Sequence, residues 1–460
     1  MKLPITLLAT VTGLLWVWSA AAQSNEALLN KLVEKGILTA DEAKQLKAES
    51  EHSAATAFTA KAGMPPWVTA FKLGGDFRGR FDDILAENQA GVDRLRWRYR
   101  IRFGFVATLQ DDFEVGLRLA SGDVDNALSA GASPLSPNQT LQNNGSKKGI
   151  LIDQVYGRWM PLHTGDWKGD VAFGKLPEPF VFSEVGLGID PDYSPEGGAL
   201  QLQYELRRGQ TLRWINGGFV LDEISLSSHD PFLLGSQLRW ESQWTSQWSS
   251  SLGLMVFSFA NVDELSNGAV PNMNVGNWRV LPAGSSSAAA AVPQFKFNPV
   301  LADAAVTWRT AQVPWYVGPF PVTLVGTYLN NPAAPASADN FGWSAGLVLG
   351  RAGKKGTWEL SYEYKWLGAN AIWEEVVDDD FGGYWASTSG LNFGVNDAPG
   401  YYTGTNVRGH IVRLAYSPYD SLTLSVKWYL TGLIHEPTVN GATDPTSLIN
   451  RVQVDAQWRF

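Results

Sequence analysis

The chain has 460 residues, 45% of them hydrophobic and only 18% charged, with 46 glycines, 20 tryptophans and a net charge of −9. The negative balance argues against a nucleic-acid partner, and the absence of cysteine excludes disulfides, thiolate nucleophiles and cysteine-based metal sites. Beyond the first 22 residues no run of 18 or more apolar residues occurs, so no membrane-spanning helix is expected, while tryptophan at this density suits a membrane–water interface.

Lys2, the apolar run Leu3–Trp18 and the small residues Ala20–Ala22 form a secretory signal, cut before Gln23. Residues 23–50 read as a periplasmic helical hairpin. Leu28, Leu29, Leu32 and Val33 share one stripe, Gly36 fits a C-terminal cap, and Thr39-Ala40-Asp41-Glu42 is a capping box for the second helix. So small a pair cannot bury its own apolar face and calls for a partner. Residues 51–66 are a linker ending in Pro65-Pro66.

From Trp67 to Phe460 the pattern becomes alternating, the signature of strands whose successive side chains point to opposite faces. The clearest run is Arg94 to Phe103, with Arg94, Arg96, Arg98, Arg100 and Arg102 on one face and apolar residues on the other. A soluble sandwich has no place for either face. A membrane barrel has lipid for one and a wet lumen for the other. Strands are expected near 67–81, 93–109, 112–121, 150–161, 167–176, 199–207, 210–221, 231–244, 248–262, 294–309, 319–330, 340–350, 357–368, 406–417, 421–434 and 448–460. The fold class is therefore all-β transmembrane, a closed antiparallel β-barrel of about sixteen strands preceded by the helical hairpin. Tight turns such as Gln110-Asp111, Arg208-Gly209, Thr245–Gln247 and Pro418–Asp420 alternate with long polar loops, as periplasmic turns and extracellular loops do in such barrels.

The last strand alternates without a break from Arg451, and Phe460 shares the lipid-facing phase with Trp458, Ala456 and Val454. Trp458 and Phe460 are read as the signal presented to the barrel-assembly machinery.

Several runs resemble one family: Leu29–Ala43, Gly174–Phe180, Asp192–Gly197, Pro319–Val322, Tyr328–Pro332 and Gly404–His410. They are similar to the putative porin family of Gram-negative outer membranes, in which a small helical hairpin precedes a sixteen-stranded barrel. The resemblance implies a general or weakly selective pore, names no solute and carries over no catalytic residue.

The basic residues of the lumen phase are Arg78, Arg80, Arg94, Arg96, Arg98, Arg100, Arg102 and Arg118, continued by Arg158, Arg207, Arg213, Arg239 and Arg309. Facing them on strands are Asp76, Glu114, Glu205, Glu241, Asp303, Glu359, Glu363 and Asp455. Packed like charges repel, so this wall requires water and counter-charge. It either attracts anions or balances carboxylates from an inward-folded loop. That loop would be the third, Pro177 to Gly198, bearing Glu178, Glu184, Asp190, Asp192 and Glu196. Folded inward it narrows the pore and sets acid against base, a field favouring polar solutes; left outside it does neither. The second acidic group, Glu374, Glu375, Asp378, Asp379 and Asp380, lacks calcium-loop spacing and reads as a solvated loop. Trp358, Tyr362, Tyr364, Trp366, Trp428 and Trp458 read as the lipid face or its interfacial girdle.

The five histidines, His52, His163, His229, His410 and His435, are scattered, and no hydrolase or nucleotide motif occurs. No enzyme, metal or cofactor is expected. The partners are outer-membrane lipid, the assembly machinery, small hydrophilic solutes and copies of the chain in a homo-oligomer such as a trimer. Three functions stay open: a passive diffusion porin with a mild anion preference, a channel selective for an organic anion, phosphate or sugar, and a non-conducting adhesin or anchor.

Overall fold

The computed structural model describes residues 64–86, 93–123, 133–183, 187–225, 227–271, 276–382, 404–435 and 448–460, with two backbone pieces between the last two stretches. The signal 1–22, the hairpin 23–50, all but the end of the linker 51–66, and Glu184 lie outside the described residues. Two compact units result. In the small one Thr69 Oγ1 donates to the carbonyl of Thr108 (3.0 Å) and Gln110 N–H to that of Trp67 (2.8 Å). The large one, 73–106 with 111–460, is the barrel.

Among the described residues the main sheet has seventeen segments, one being the two-residue piece Gln139–Thr140. The other sixteen are β1 (Val68–Ala86), β2 (Arg94–Leu109), β3 (Phe113–Ala120), β4 (Leu151–Thr164), β5 (Trp167–Lys175), β6 (Glu196–Arg207), β7 (Gln210–Val220) and β8 (Phe232–Gln243), followed by β9 (Trp248–Ala260), β10 (Val300–Thr310), β11 (Phe320–Asn330), β12 (Phe341–Gly350), β13 (Thr357–Leu367), β14 (Val407–Tyr419), β15 (Leu422–Leu433) and β16 (Ile449–Arg459). Each pairs with its neighbour in sequence, and β16 pairs antiparallel with β1, setting Phe77 opposite Trp458 and Arg80 opposite Asp455. The sheet therefore closes and leaves no edge, the condition for strands to cross a bilayer with every backbone group satisfied.

Connections alternate in length around the ring. Short turns follow the even-numbered strands, among them 110–112, 165–166, 208–209 and 420–421. Gly209 takes φ 79° in one of them, the left-handed region that glycine enters without cost. Long loops follow the odd-numbered strands, among them 121–150, 176–195, 261–299 and 368–406. Both ends of the barrel chain thus lie at the turn end.

Side-chain exposure inverts the soluble pattern. In β2, Leu95 and Trp97 are 60% and 58% exposed while Arg98 and Arg100 are 8% and 5% exposed. The apolar residues meet lipid and the charges turn inward. Two boundaries differ from expectation. β1 runs on to Ala86, because Asp82, which breaks the apolar pattern, pairs inward with Arg96 and Arg451. β10 begins at Val300 rather than 294, because Pro299 has no N–H for the ladder; its carbonyl only accepts from Phe257 (2.9 Å).

The packed apolar core is built by loops inside the barrel mouth. Leu187, Ile189, Trp373, Val376, Val377 and Phe381 join strand residues such as Phe219, Phe257 and Leu301 there.

Candidate pore and constriction

The inward faces of β1, β2 and β16 form one ionic ladder. Asp76 accepts from Arg100 Nη2 (2.8 Å) and Arg102 Nε (2.7 Å). Asp82 accepts from Arg96 Nε (2.7 Å) and Arg451 Nε (2.8 Å). Asp455 holds Arg80 in a fork, at 2.8 and 2.9 Å. Farther round, Arg118 pairs with Asp153, and Arg158 lies 3.6 Å from Glu114 and 3.5 Å from Asp170. Arg213 reaches Glu241 at 3.1 Å, and Arg309 donates to Ser249 Oγ at 3.1 Å. Toward the turn end the wall carries an open recess of about 330 Å³ lined by Thr211, Arg239, Glu241, Ser249, Ser251 and Thr307.

The third long loop, 176–195, crosses this lumen. On one side it is fastened to β8–β10. Gln237 exchanges two hydrogen bonds with the Val181 backbone (2.9 and 2.6 Å), Ser183 N–H donates to Asp303 (2.9 Å), and Arg239 donates to Asp303 and to the Val181 carbonyl. Phe180 packs edge-on against Phe219 and Phe257. At the other end Asp192 accepts from Arg102 (3.0 Å) and Arg100 (3.5 Å) of β2. One loop therefore ties opposite walls of the barrel together.

The seventh loop enters as well. Asp380 accepts from Arg80 (2.9 Å), Arg451 (2.8 Å) and Gln453 (3.0 Å), and Val376 accepts from the Asp190 N–H (2.8 Å). Glu374 pairs with Arg279 of the fifth loop, and neither side chain is exposed. The second acidic group is thus a buried inward arm rather than a solvated loop: Glu374, Glu375 and Asp378 are all buried. The signal that distinguishes it is apolar, since Ile372, Trp373, Val376, Val377 and Phe381 interleave with the acids and must be covered.

The carboxyls of Asp190, Asp378 and Asp379 come together with ligand oxygens within 4.8 Å of one another, a cluster that could share a proton or hold a hard cation. Burial and the neighbouring Asp380 push Asp379 up to about 7. Asp190 is raised by burial and by Asp378 and Asp379. Asp380 is buried too, but Arg80, Arg451 and Lys427 outweigh that and hold it well below the carboxylate range. Burial pushes Glu178 up to about 8, although one oxygen accepts from the Phe180 N–H (2.8 Å).

Of the expected loop acids, Asp192 meets the arginine wall, Asp190 joins the carboxyl cluster, and Glu178 is buried beside Phe180. Glu196 does not belong with them. It opens β6 in the phase of the outward Leu200 and pairs with Lys175 at 2.9 Å, because the strand begins three residues before the expected position. Arg451, Asp82 and Asp380 were not among the expected lumen groups. Arg451 shares the phase of Asp455 along β16 and was legible by the same alternation. Phe460 is 62% and Trp458 41% exposed, both outward; the Phe460 N–H donates to Gly75 (3.1 Å) and its carbonyl accepts in return (2.9 Å).

A closed antiparallel barrel with an apolar exterior and a charged, loop-constricted interior is a transmembrane barrel of the bacterial outer membrane, and its architecture is that of a channel. Residues 85–279 match the family profile described as Putative porin, a shorter span than the scattered motifs suggest. No curated protein matches the sequence. Among solved structures, OprB of Pseudomonas putida at high pH is 12% identical, covering 85% of this chain and 94% of that one, with a TM-score of 0.49. OmpF of Salmonella typhi, in complex with daunomycin, is 11% identical over 85% and 98% of the two chains, with a TM-score of 0.45. The outer-membrane channel DcaP of Acinetobacter baumannii is 12% identical over 85% and 97%, with a TM-score of 0.40. These last likenesses describe; the class follows from the barrel itself and from the family match.

Proposed function

We propose that the chain is a passive channel for small hydrophilic solutes with a mild preference for anions. The observation that carries the preference is the charge balance along the ladder. Arg78, Arg80, Arg96, Arg98, Arg100, Arg102, Arg118 and Arg451 are set against Asp76, Asp82, Asp123, Asp153, Asp192, Asp380 and Asp455. Over these ion pairs the bases lead by one; Asp190 and Asp379, raised by burial, subtract little and Asp378 is matched by Lys365, so the preference is mild. Charges at a constriction outweigh those on the wetted rim, since exposed charges are screened within about 8–10 Å. Solutes pass down their gradient, and catalysis has no part in this reading. The barrel works in outer-membrane lipid as a homo-oligomer, a trimer in this reading, after insertion by the assembly machinery. Single-channel recording in planar bilayers under a salt gradient tests this. Stepwise conductance with a reversal potential on the anion side is expected. Folded barrels that insert without conducting would favour the anchor instead.

A further inference from the structure

Within the ladder, two arginines stand second in line for carboxylates already committed. Arg78 has its nearest acid in Asp455, at 3.9 Å, and Asp455 is forked by Arg80. Arg98 has its nearest acid in Asp123, at 4.0 Å, and Asp123 accepts from Gln139, from the Thr140 N–H (3.0 Å) and from the Thr140 hydroxyl (2.8 Å). Both side chains are largely enclosed, 12% and 8% exposed. In each the Nε is buried with no hydrogen-bond partner among the described residues.

The second long loop links these two guanidinium groups. Its Gln139–Thr140 segment continues the sheet alongside β2, with Arg98 opposite Thr140, and the Leu141 N–H donates to the Trp97 carbonyl (2.9 Å). Arg78 Nη2 donates to Asn138 Oδ1 (2.6 Å), Asn138 Nδ2 to Ser136 Oγ (3.1 Å), and Arg98 Nη2 reaches the same Ser136 oxygen at 3.5 Å. Ser136 Oγ thus accepts twice, and its own proton remains to be given. Two cations, two idle Nε–H groups and one hydroxyl proton surround a place short of acceptors. Water could satisfy the N–H groups; the charges lean only on Asp455 and Asp123 at the edge of ion-pair distance and on Asp379 and Asp380 farther off, and a buried cation so incompletely matched is costly.

We infer that Arg78, Arg98 and Ser136 form a seat for the oxyanion of a small solute, a carboxylate or phosphate group, beside the constriction. The guanidinium fork matches such a group in shape as well as charge. This deepens the channel reading: the wall does not merely bias the current but holds one anion at a fixed point.

The test titrates inorganic phosphate, and separately succinate, against the chloride current of the full-length channel in a planar bilayer. A saturable block is expected from at least one of them. Arg98→Gln and Arg78→Gln should each weaken it by about tenfold or more, the loss of a charged hydrogen bond. Arg98→Lys should fall between, keeping the charge without the fork. Lys148→Gln, on an exposed stretch of the same loop, should leave the block unchanged. An open wild-type channel with no saturable block by either anion overturns the seat, as does a block that Arg98→Gln leaves intact. If folded barrels conduct nothing, the channel reading fails alone. Equilibrium dialysis of labelled phosphate and succinate against the detergent-solubilised barrel then decides the seat, through binding in the wild type and its loss in Arg98→Gln.

Discussion

Arg279 and Glu374 form an ion pair in which neither side chain reaches solvent. The pair joins the fifth loop to the seventh. Arg279 also donates to the Leu265 carbonyl (3.0 Å) and lies over the Trp373 ring at 5.4 Å, while Glu374 Oε2 accepts from the Asn277 N–H (2.6 Å). Removing one partner strands the other charge, at a cost of about 3–5 kcal/mol. Glu374→Gln or Arg279→Ala should therefore open these loops to protease while the barrel keeps its heat-modifiable migration. The double change Arg279→Met with Glu374→Leu should recover most of the protection. Equal protection in the single variants would mean that the apolar core alone holds the loops.

Acidity should govern the third loop. Glu178 is raised to about 8 by burial, far above its ordinary value of about 4.3. The folded loop therefore keeps a proton that the opened loop releases. Its stability is greatest at low pH and falls as pH rises from about 4 through 8. Amide exchange of 176–195, corrected for intrinsic rates, should show protection falling across that range, and Glu178→Gln should flatten the slope. Asp379, raised to about 7, contributes in the same window, so Asp379→Asn should remove a second part. Protection that climbs with pH would refute the assignment.

The strands were legible because one physical rule, lipid outside and water inside, acts on every residue along them. Leu95, Trp97, Arg98 and Arg100 obey it without exception. The constriction was legible only in part. Asp192 on the third loop could be named, but its arginine partners depend on a fold-back that no local pattern encodes. The seventh loop was read by its charges, yet Trp373 and Phe381 decide its burial, and their partners come from strands and loops far away in sequence. Glu196 was misplaced because three residues of β6 carry no apolar alternation: Glu196-Gly197-Gly198 looks like loop and pairs as strand.

Ion selectivity should follow the ladder. Arg96→Ser, Arg98→Ser and Arg100→Ser together remove three guanidinium groups from one strand face and should move the reversal potential toward cations. Asp192→Asn with Asp380→Asn removes two of the loop carboxylates paired with the arginine ladder and should move it toward anions. A wild-type channel already cation-selective would show that the loop carboxylates dominate the arginines.

Assembly should depend on the last residue. The Phe460 backbone exchanges two hydrogen bonds with Gly75, and its ring lies where a side chain at 75 would stand. Deleting Phe460, or replacing it with Asp, should lower the heat-modifiable barrel in the outer membrane several-fold. Unchanged levels would remove this residue from the assembly signal.

The hairpin expected at 23–50 should be dispensable for conduction. A chain lacking it should insert and conduct as the full chain does, with any loss confined to its periplasmic attachment or oligomer. A folded but silent truncation would join the hairpin to the channel's work.

The joint between β1 and β16 also acts as a check on alignment. A slip of one residue would turn every lumen charge into lipid. A slip of two preserves the faces and must be rejected by other means. Moved one way, it sets Asp82 against Asp455 and Arg78 against Arg459, two repulsions in place of the present pairing of Arg80 with Asp455 and Asp76 with Arg459. Moved the other way, it brings Arg78 opposite Asp455 and Asp82 opposite Arg451 but leaves Arg80 facing Gln453 and uncouples Phe460 from Gly75, so the backbone clasp at Phe460 rather than charge rejects it. The charges that line the passage thus reject a ring shut two residues out in one direction, and the Phe460–Gly75 clasp rejects it in the other.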